Sequence, residues 1–204
     1  PARVIVGTID PNPRVAGRGI AALKARGIET RVGVLEAECL ALNERFFKFI
    51  RTGQPFVTLK FAQTLDGRIA TRTGHSRWIS SPPSLRFAHE LRSVHDAVLV
   101  GVGTAIHDDP ELTVRRVRGR NPLRVILDSN LRLPPTSRLL SLKDGAGTLI
   151  ATLDRADPER RRVLERAGAE ILTAPPDEGG RVSLPHLTAL LGVITLGNVD
   201  ELGG

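Results

Sequence analysis

Short apolar runs alternate with helically spaced apolar residues along the whole chain. Val4 to Ile9 reads as a strand, Asp10-Pro11-Asn12-Pro13 as a turn, and Ile20 to Ala25 as a short helix closed by Gly27. Ile28 to Val34 gives a second strand. From Leu35 to Ile50, residues Leu35, Cys39, Leu42, Phe46 and Phe49 recur on one helical face, which predicts an amphipathic helix. Thr52-Gly53-Gln54-Pro55 breaks the pattern. A domain boundary near residue 53 follows, with residues 1–53 in one part and 54–204 in the other.

The second part opens with Phe56 to Ala62, which alternates like a half-buried strand. Asp66-Gly67 marks a turn. Ser81-Pro82-Pro83 supplies a cap and first-turn prolines for a helix to about Val94. Ala97 to Val100 is apolar throughout, as in a strand buried on both faces. Leu123 to Leu127, Thr148 to Thr152, Ala169 to Thr173 and Val193 to Val199 read as further strands, with helices at Pro158 to Arg166 and Pro185 to Leu191. This alternation predicts an α/β fold with a mostly parallel sheet and helices on both faces.

Composition adds limits. A hydrophobic share of 41% with 25% charged residues is that of an ordinary globular chain. The single cysteine, Cys39, excludes an internal disulfide and any cysteine-cluster metal site, and its place on the apolar stripe predicts inert packing. No apolar run approaches the roughly 20 residues that cross a bilayer. The start, Pro1-Ala2-Arg3-Val4, lacks the layout of a signal peptide, so a cytoplasmic protein without a membrane partner is expected. The net charge is +7, yet only four of 29 basic residues are lysines. Six Phe and one Trp do not interleave with the charges as base-stacking platforms would. Small anionic ligands are therefore expected rather than nucleic acid, since the arginine fork suits phosphate. The absence of methionine and the ending at Gly203-Gly204 give the expectation of a fragment.

Candidate chemistry is sparse. Gly101-Val102-Gly103 after a strand admits close approach of a phosphate to the backbone, but Ile106 stands where the dinucleotide fingerprint has its third glycine. A plain tight turn explains it equally well. Asp108-Asp109-Pro110 reads most simply as a turn. His75, His89, His95, His107 and His186 have no metal spacing, and no resident metal is expected. Lys60 interrupts an apolar run, either facing outward or held for a task. Arg92 and Arg115 are candidate anion ligands.

Taken together, six ordered segments resemble the reductase half of the bifunctional riboflavin-biosynthesis deaminase/reductase family. They are Pro55 to Ala62, Leu65-Asp66-Gly67-Arg68-Ile69-Ala70, Gly74-His75-Ser76-Arg77-Trp78-Ile79-Ser80, Asp96 to Thr104, Asp108 to Arg115, and Leu123 to Ser129. Val4 to Ile9, Asp10 to Pro13, Val15 to Ile20 and Leu42-Asn43-Glu44 resemble the last stretch of the same family's deaminase domain. That domain's zinc motifs, H-x-E and P-C-x-x-C, would lie before Pro1, so zinc belongs to the missing part and no deaminase activity is expected here.

The resemblance implies a dihydrofolate-reductase-like fold in residues 54–204, preceded by the end fragment of a cytidine-deaminase-like α/β domain. It implies NADPH as cofactor and a phosphoribosylamino-pyrimidine as substrate. The opened ribose would take hydride at C1′ to give the ribitylamino product. Substrate contacts would fall on Ser76, Arg92, Leu112 and Arg115, the arginines clamping the phosphate. Cofactor contacts would fall on Ala62, Trp78, Thr104, Asp108 and Ser129. Lys60 matches a lysine that polarises a carbonyl or supplies a proton. Glu201 stands for the family's substrate-binding glutamate, within Val199-Asp200-Glu201-Leu202-Gly203-Gly204 where the family has a V-E-G-G-like segment. A homo-oligomer stays open. Two other readings remain: a pterin or folate reductase of the same fold, which has no need of the phosphate arginines, and a non-catalytic nucleotide- or RNA-binding module.

Overall fold

Aliphatic and β-branched residues form six of the eight expected strands. The computed structural model describes residues 2–76 and 79–200, with residues 193–200 described by backbone alone. The chain divides into two units, residues 1–57 with 188–204, and residues 58–187. In the first unit β1 (Arg3–Val6) and β2 (Glu29–Val32) pair in parallel across α1 (Arg18–Ala25). Arg3 stands opposite Glu29 in register, and its Nε lies 2.8 Å from the carboxylate.

Residues 35–52 form two helices rather than one: α2 (Glu36–Leu42) and α3 (Glu44–Thr52). The break is Asn43, at φ −111° and ψ 21°, whose Nδ2 donates to the Cys39 carbonyl at 2.9 Å. Asparagine bonds its own backbone in this way and so competes with the helix ladder. Cys39 is half-buried, and its Sγ fills the space where Gly7 would carry a Cβ, in keeping with a packing role.

The second unit holds a four-stranded, wholly parallel sheet. Its strands are β3 (Ala97–Gly101), β4 (Leu123–Leu127), β5 (Thr148–Thr152) and β6 (Glu170–Thr173), in the order β3-β4-β5-β6. Every residue of β5 is buried, as two-sided coverage of a parallel sheet requires. The helices of this unit are α4 (Pro82–Ser93), α5 (Val102–Asp108), α6 (Arg138–Ser141) and α7 (Pro158–Arg166). Ser81 caps α4 by accepting from the Ser84 N–H, and Asp157 caps α7 through Glu159. Ile126, Ile150, Leu131, Leu133, Leu139 and Leu164 form the centre of the core.

Two expected strands are not strands. Phe56 to Ala62 is irregular, and Val57, Leu59 and Phe61 are all exposed. Alternation alone does not make a strand when no neighbour pairs with it and no face is covered. Val193 to Val199 continues α8 (Leu184–Asp200), which also contains the helix expected at Pro185 to Leu191. A short apolar run suits a buried helix as well as a strand. Gly192 is no helix stop: a Cβ there would fall 2.6 Å from the Gly53 carbonyl oxygen, so the glycine permits close approach. Among the described residues no helix is long and apolar enough to cross a membrane.

Candidate functional site

In parallel α/β sheets ligands bind beyond the carboxyl ends of the strands. A cleft of about 700 Å³ lies there, beyond Gly101 of β3 and Leu127 of β4. Gly101-Val102-Gly103 is not a tight turn, because extended Gly101 passes directly into α5. A Cβ at Gly101 or Gly103 would meet no atom within 4 Å, so both glycines leave their faces open to the cleft. Val102, Val182 and Leu184 give it apolar wall, and Ser129 gives it a hydroxyl that accepts from the Val182 N–H at 3.0 Å.

A second group of residues gathers around the end of α4. Arg92 is half-buried, and its Nη1 donates to the Thr113 carbonyl at 3.3 Å. Burial and then the neighbouring Arg115 charge lower the Arg92 guanidinium from its ordinary value. No carboxylate pairs with Arg92 among the described residues. Arg115 pairs with Glu111, donates to Thr113 Oγ1 at 3.0 Å, and gives its backbone N–H to His89 Nδ1 at 3.0 Å. Two guanidinium groups drawn together without equal negative charge form a site that an anion would stabilise.

Backbone strain fixes this group. Asp109 and Leu112 both lie in the left-handed region, at φ 38° and 53°, conformations that non-glycine residues seldom adopt. Asp109 holds its place by accepting from Ser137 Oγ at 3.1 Å and the Arg138 N–H at 3.0 Å. Glu111 pairs with both Arg115 and Arg138. Leu112 is buried in the core, so its side chain anchors the loop from below.

His89 supports the same loop as an acceptor. Burial comes first, then the charges of Arg92, Arg115 and Arg116, in lowering His89 from its ordinary value. A histidine less basic folded than unfolded stabilises fully above the unfolded value, about pH 6.5, and loses that stability as pH falls through the lower folded value. The unfolded chain binds the proton more readily, so acid favours unfolding. His89→Gln is accordingly expected to flatten the fall of melting temperature below about pH 6.5; an unchanged slope would remove His89 as its source.

The structure brings Arg92, Leu112 and Arg115 together, and Ser129 to the glycines of the cleft. Thr104 and Asp108 lie exposed at the two ends of α5. Ser76 does not line the cleft; it lies in a separate depression lined with it by Gln63, Asp66, Thr71 and Ile79 among others. Two turns build that depression, each closed by a threonine: the Arg68 N–H donates to Thr64 Oγ1 and the His75 N–H to Thr71 Oγ1, both at 3.0 Å. Gly67 is left-handed at φ 77°, as the Asp66-Gly67 turn requires. Gly74 lies close to His107, which sets this loop against the end of α5. Lys60 is exposed and Ala62 half-buried on the irregular segment before the loop, and neither lines the cleft. Trp78 and Glu201 lie outside the described residues.

Sequence reading missed His89, Glu111, Thr113, Arg132, Arg138 and Arg181. Glu111, Thr113 and Arg115 have spacings of two and four, a local signal of mutual bonding, whereas Arg132 and Arg181 meet only through the fold.

These features define a class: a parallel α/β protein whose cleft opens at the carboxyl edge of the sheet. The sequence matches the RibD C-terminal domain over residues 55–197, and the chain belongs to that family. It is 46% identical over 171 residues to the riboflavin biosynthesis protein RibD of Aquifex aeolicus, covering 83% of this chain and 47% of that protein. The structure of Acinetobacter baumannii RibD superposes with a TM-score of 0.78 at 34% identity, covering 95% of this chain and 52% of that one. A diaminohydroxyphosphoribosylaminopyrimidine deaminase/5-amino-6-(5-phosphoribosylamino)uracil reductase from Thermotoga maritima gives 0.67 at 38% identity, covering 84% and 54%. The chain spans about half the length of the curated relatives it matches.

Proposed function

We propose that this chain is the reductase part of a riboflavin-biosynthesis enzyme, reducing 5-amino-6-(5-phosphoribosylamino)uracil with NADPH to the ribitylamino product. The observation that carries the reading is the pairing of half-buried Arg92 with Arg115 on the strained 109–115 loop, within the region that matches the RibD C-terminal domain. A phosphorylated ribose needs such a clamp. A pterin or folate does not, which is why the reductase of that class is the weaker reading.

The open cleft suits NADPH chemically: apolar wall for a planar ring, the Ser129 hydroxyl, open glycine backbone and arginines at its edge. NADPH, when bound, supplies the hydride that C1′ of the opened ribose accepts. Arg92 and Arg115 hold the substrate phosphate by forked hydrogen bonds, and Leu112 fixes the loop that carries Arg115. The resemblance assigns Ser76 to the substrate and Ala62, Trp78, Thr104, Asp108 and Ser129 to the cofactor; among the described ones Ser129 lines the cleft, and Ala62, Thr104 and Asp108 would meet parts of the cofactor that extend beyond it. Lys60 donates the proton that balances hydride addition, passing it to the nitrogen on C1′, and Glu201 holds the substrate. Residues 1–53 are the C-terminal fragment of a zinc deaminase domain, without its zinc, and residues 54–204 the reductase domain. The name of the Thermotoga maritima relative, which joins both activities, supports this division.

The test is to mix the chain with NADPH and the phosphoribosylamino-uracil, following the NADPH absorbance and the product by mass spectrometry. Oxidation that needs this substrate, with a ribitylamino product, is expected, and dihydrofolate in its place should give none. Oxidation with dihydrofolate alone would shift the assignment to the pterin class. Lys60→Ala is expected to lower kcat by about 10²-fold, within the usual range for general acid catalysis, with KM little changed. Unaltered turnover would strike Lys60 from the mechanism.

A further inference from the structure

We infer that Arg132 and Arg181 form the subsite that makes the cleft selective for a nucleotide bearing a 2′-phosphate. This deepens the reading of the chain as an NADPH-dependent reductase and rests on it. Both arginines line the cleft that Ser129, Gly101 and Gly103 also line. Neither guanidinium has a carboxylate or other hydrogen-bond acceptor as partner among the described residues, although most arginines near this sheet are engaged. Arg124, Arg138, Arg155 and Arg160 all have acceptors within the protein.

Each of the two is presented by a rigid piece of backbone. Arg132 stands between Leu131 and Leu133, both fully buried, so the side chain between them is turned out towards the cleft. Arg160 of α7 clasps the carbonyls on either side, donating to Leu131 O at 2.8 and 3.0 Å and to Leu133 O at 3.1 Å. Buried Asp128 closes the same loop by accepting from the Leu133 N–H at 2.8 Å. Arg181 ends a tight turn in which its N–H donates to Asp177 Oδ1 at 2.8 Å and its carbonyl accepts from the Asp177 N–H at 2.6 Å. Arg155 fixes that turn through the Gly180 carbonyl at 2.8 Å. Asp177 also lines the cleft, but one of its carboxylate oxygens is directed into the turn.

Two unpaired guanidinium groups carried on firmly held backbone at one cleft match a phosphate, whose oxygens accept forked hydrogen bonds. A dinucleotide offers two sources of that chemistry: its pyrophosphate, and the 2′-phosphate that distinguishes NADP from NAD. The open backbone of Gly101 and Gly103 suits the pyrophosphate without a side chain, which leaves the arginines for the second group.

The experiment titrates the chain, and its Arg132→Ala and Arg181→Ala variants, with NADP+, NAD+, 2′-AMP and 5′-ADP, reading affinity by calorimetry. Both side chains are exposed, and circular dichroism checks that each variant stays folded. In each variant the affinity for NADP+ and 2′-AMP is expected to fall by at least about tenfold, while that for NAD+ and 5′-ADP stays within about twofold. Equal losses for NADP+ and NAD+ would assign the arginines to the pyrophosphate and overturn the inference. Unchanged NADP+ binding would overturn it as well. A parent chain that binds none of the four ligands would instead remove the cofactor reading on which the inference stands. Arg132→Lys separates charge from fork, since lysine keeps the charge and is expected to restore only part of the 2′-AMP affinity.

Discussion

An Asp144→Ala chain is expected to lose about 3–5 kcal/mol of folding stability, the range found when one member of a buried ion pair is removed. Arg124 lies in β4 with only 1% of its side chain exposed, and its guanidinium is satisfied almost wholly by Asp144. Nη1 donates to Asp144 Oδ2 at 2.7 Å and Nη2 to Oδ1 at 3.0 Å, while Nε donates to Thr148 Oγ1 at 3.0 Å. Alanine at 144 leaves that charge buried with a single hydrogen bond. Arg124→Met should cost less, because the surviving carboxylate has 20% of its side chain exposed and can meet water. The double variant Arg124→Met with Asp144→Ala should then be more stable than Asp144→Ala alone. Chemical denaturation of all four chains checks this order, and a double variant weaker than both single ones would refute it.

The pair also sets a response to acid. The hydrogen bond from Arg124 is the main reason that the Asp144 carboxyl lies below its ordinary value, with burial opposing. A carboxyl more acidic folded than unfolded stabilises fully above the unfolded value of about 3.9 and ceases to do so as pH falls through the folded one. The gap in stability between the parent chain and Asp144→Asn should therefore be constant near neutrality and close at strongly acid pH. The consequence reaches the candidate site. Asn121 Nδ2 donates to Asp144 Oδ2 at 2.9 Å, and Asn121 Oδ1 accepts from the Val114 N–H at 2.6 Å. Loss of Asp144 thus frees one hold on the loop that carries Arg115.

The second large effect concerns Arg92. Arg92→Ala is expected to lower kcat/KM for the phosphoribosylamino-uracil by about 10²-fold or more, the lower end of what truncating a desolvated charge contact costs. Arg115→Ala should lose less, because Arg115 is more exposed and already shares its charge with Glu111. The losses should fall on the substrate's KM and leave NADP+ affinity unaltered, since neither residue lines the cleft beyond β3 and β4. Arg92→Lys keeps the charge but not the fork, and should recover part of the loss. If Arg92→Ala binds and turns over the phosphorylated substrate like the parent, the phosphate lies elsewhere.

How far the sequence speaks depends on where each element finds its partner. The strands β3 to β6 were legible because their apolar runs are bounded by turns; β4 and β5 are buried as such runs suggest, whereas β3, expected to be buried on both faces, is an edge strand with Leu99 exposed, and β6 at the other edge has no buried residue. Phe56 to Ala62 shows the same alternation but has no strand beside it, and pairing is not written in a segment's own residues. Asn43 divides α2 from α3 through one side-chain hydrogen bond, which a periodicity count passes over. Within the candidate site, Arg92, Leu112, Arg115 and Ser129 came from the resemblance, and composition could not single out two arginines among so many. Arg124 with Asp144 and Arg132 with Arg181 lie far apart in the chain, and only the fold pairs the first two and brings the second two to one cleft.

The sheet of the second unit also governs how the protein is made. Each of its strands lies beside the one synthesised just before it. Assembly can therefore proceed by accretion at a single edge, every new strand meeting a template already in place, and the ordering entropy of long-range closure is kept small at each step. Emerging from the ribosome, β3 and β4 can zip together before β5 exists, and β6 is the last to be covered.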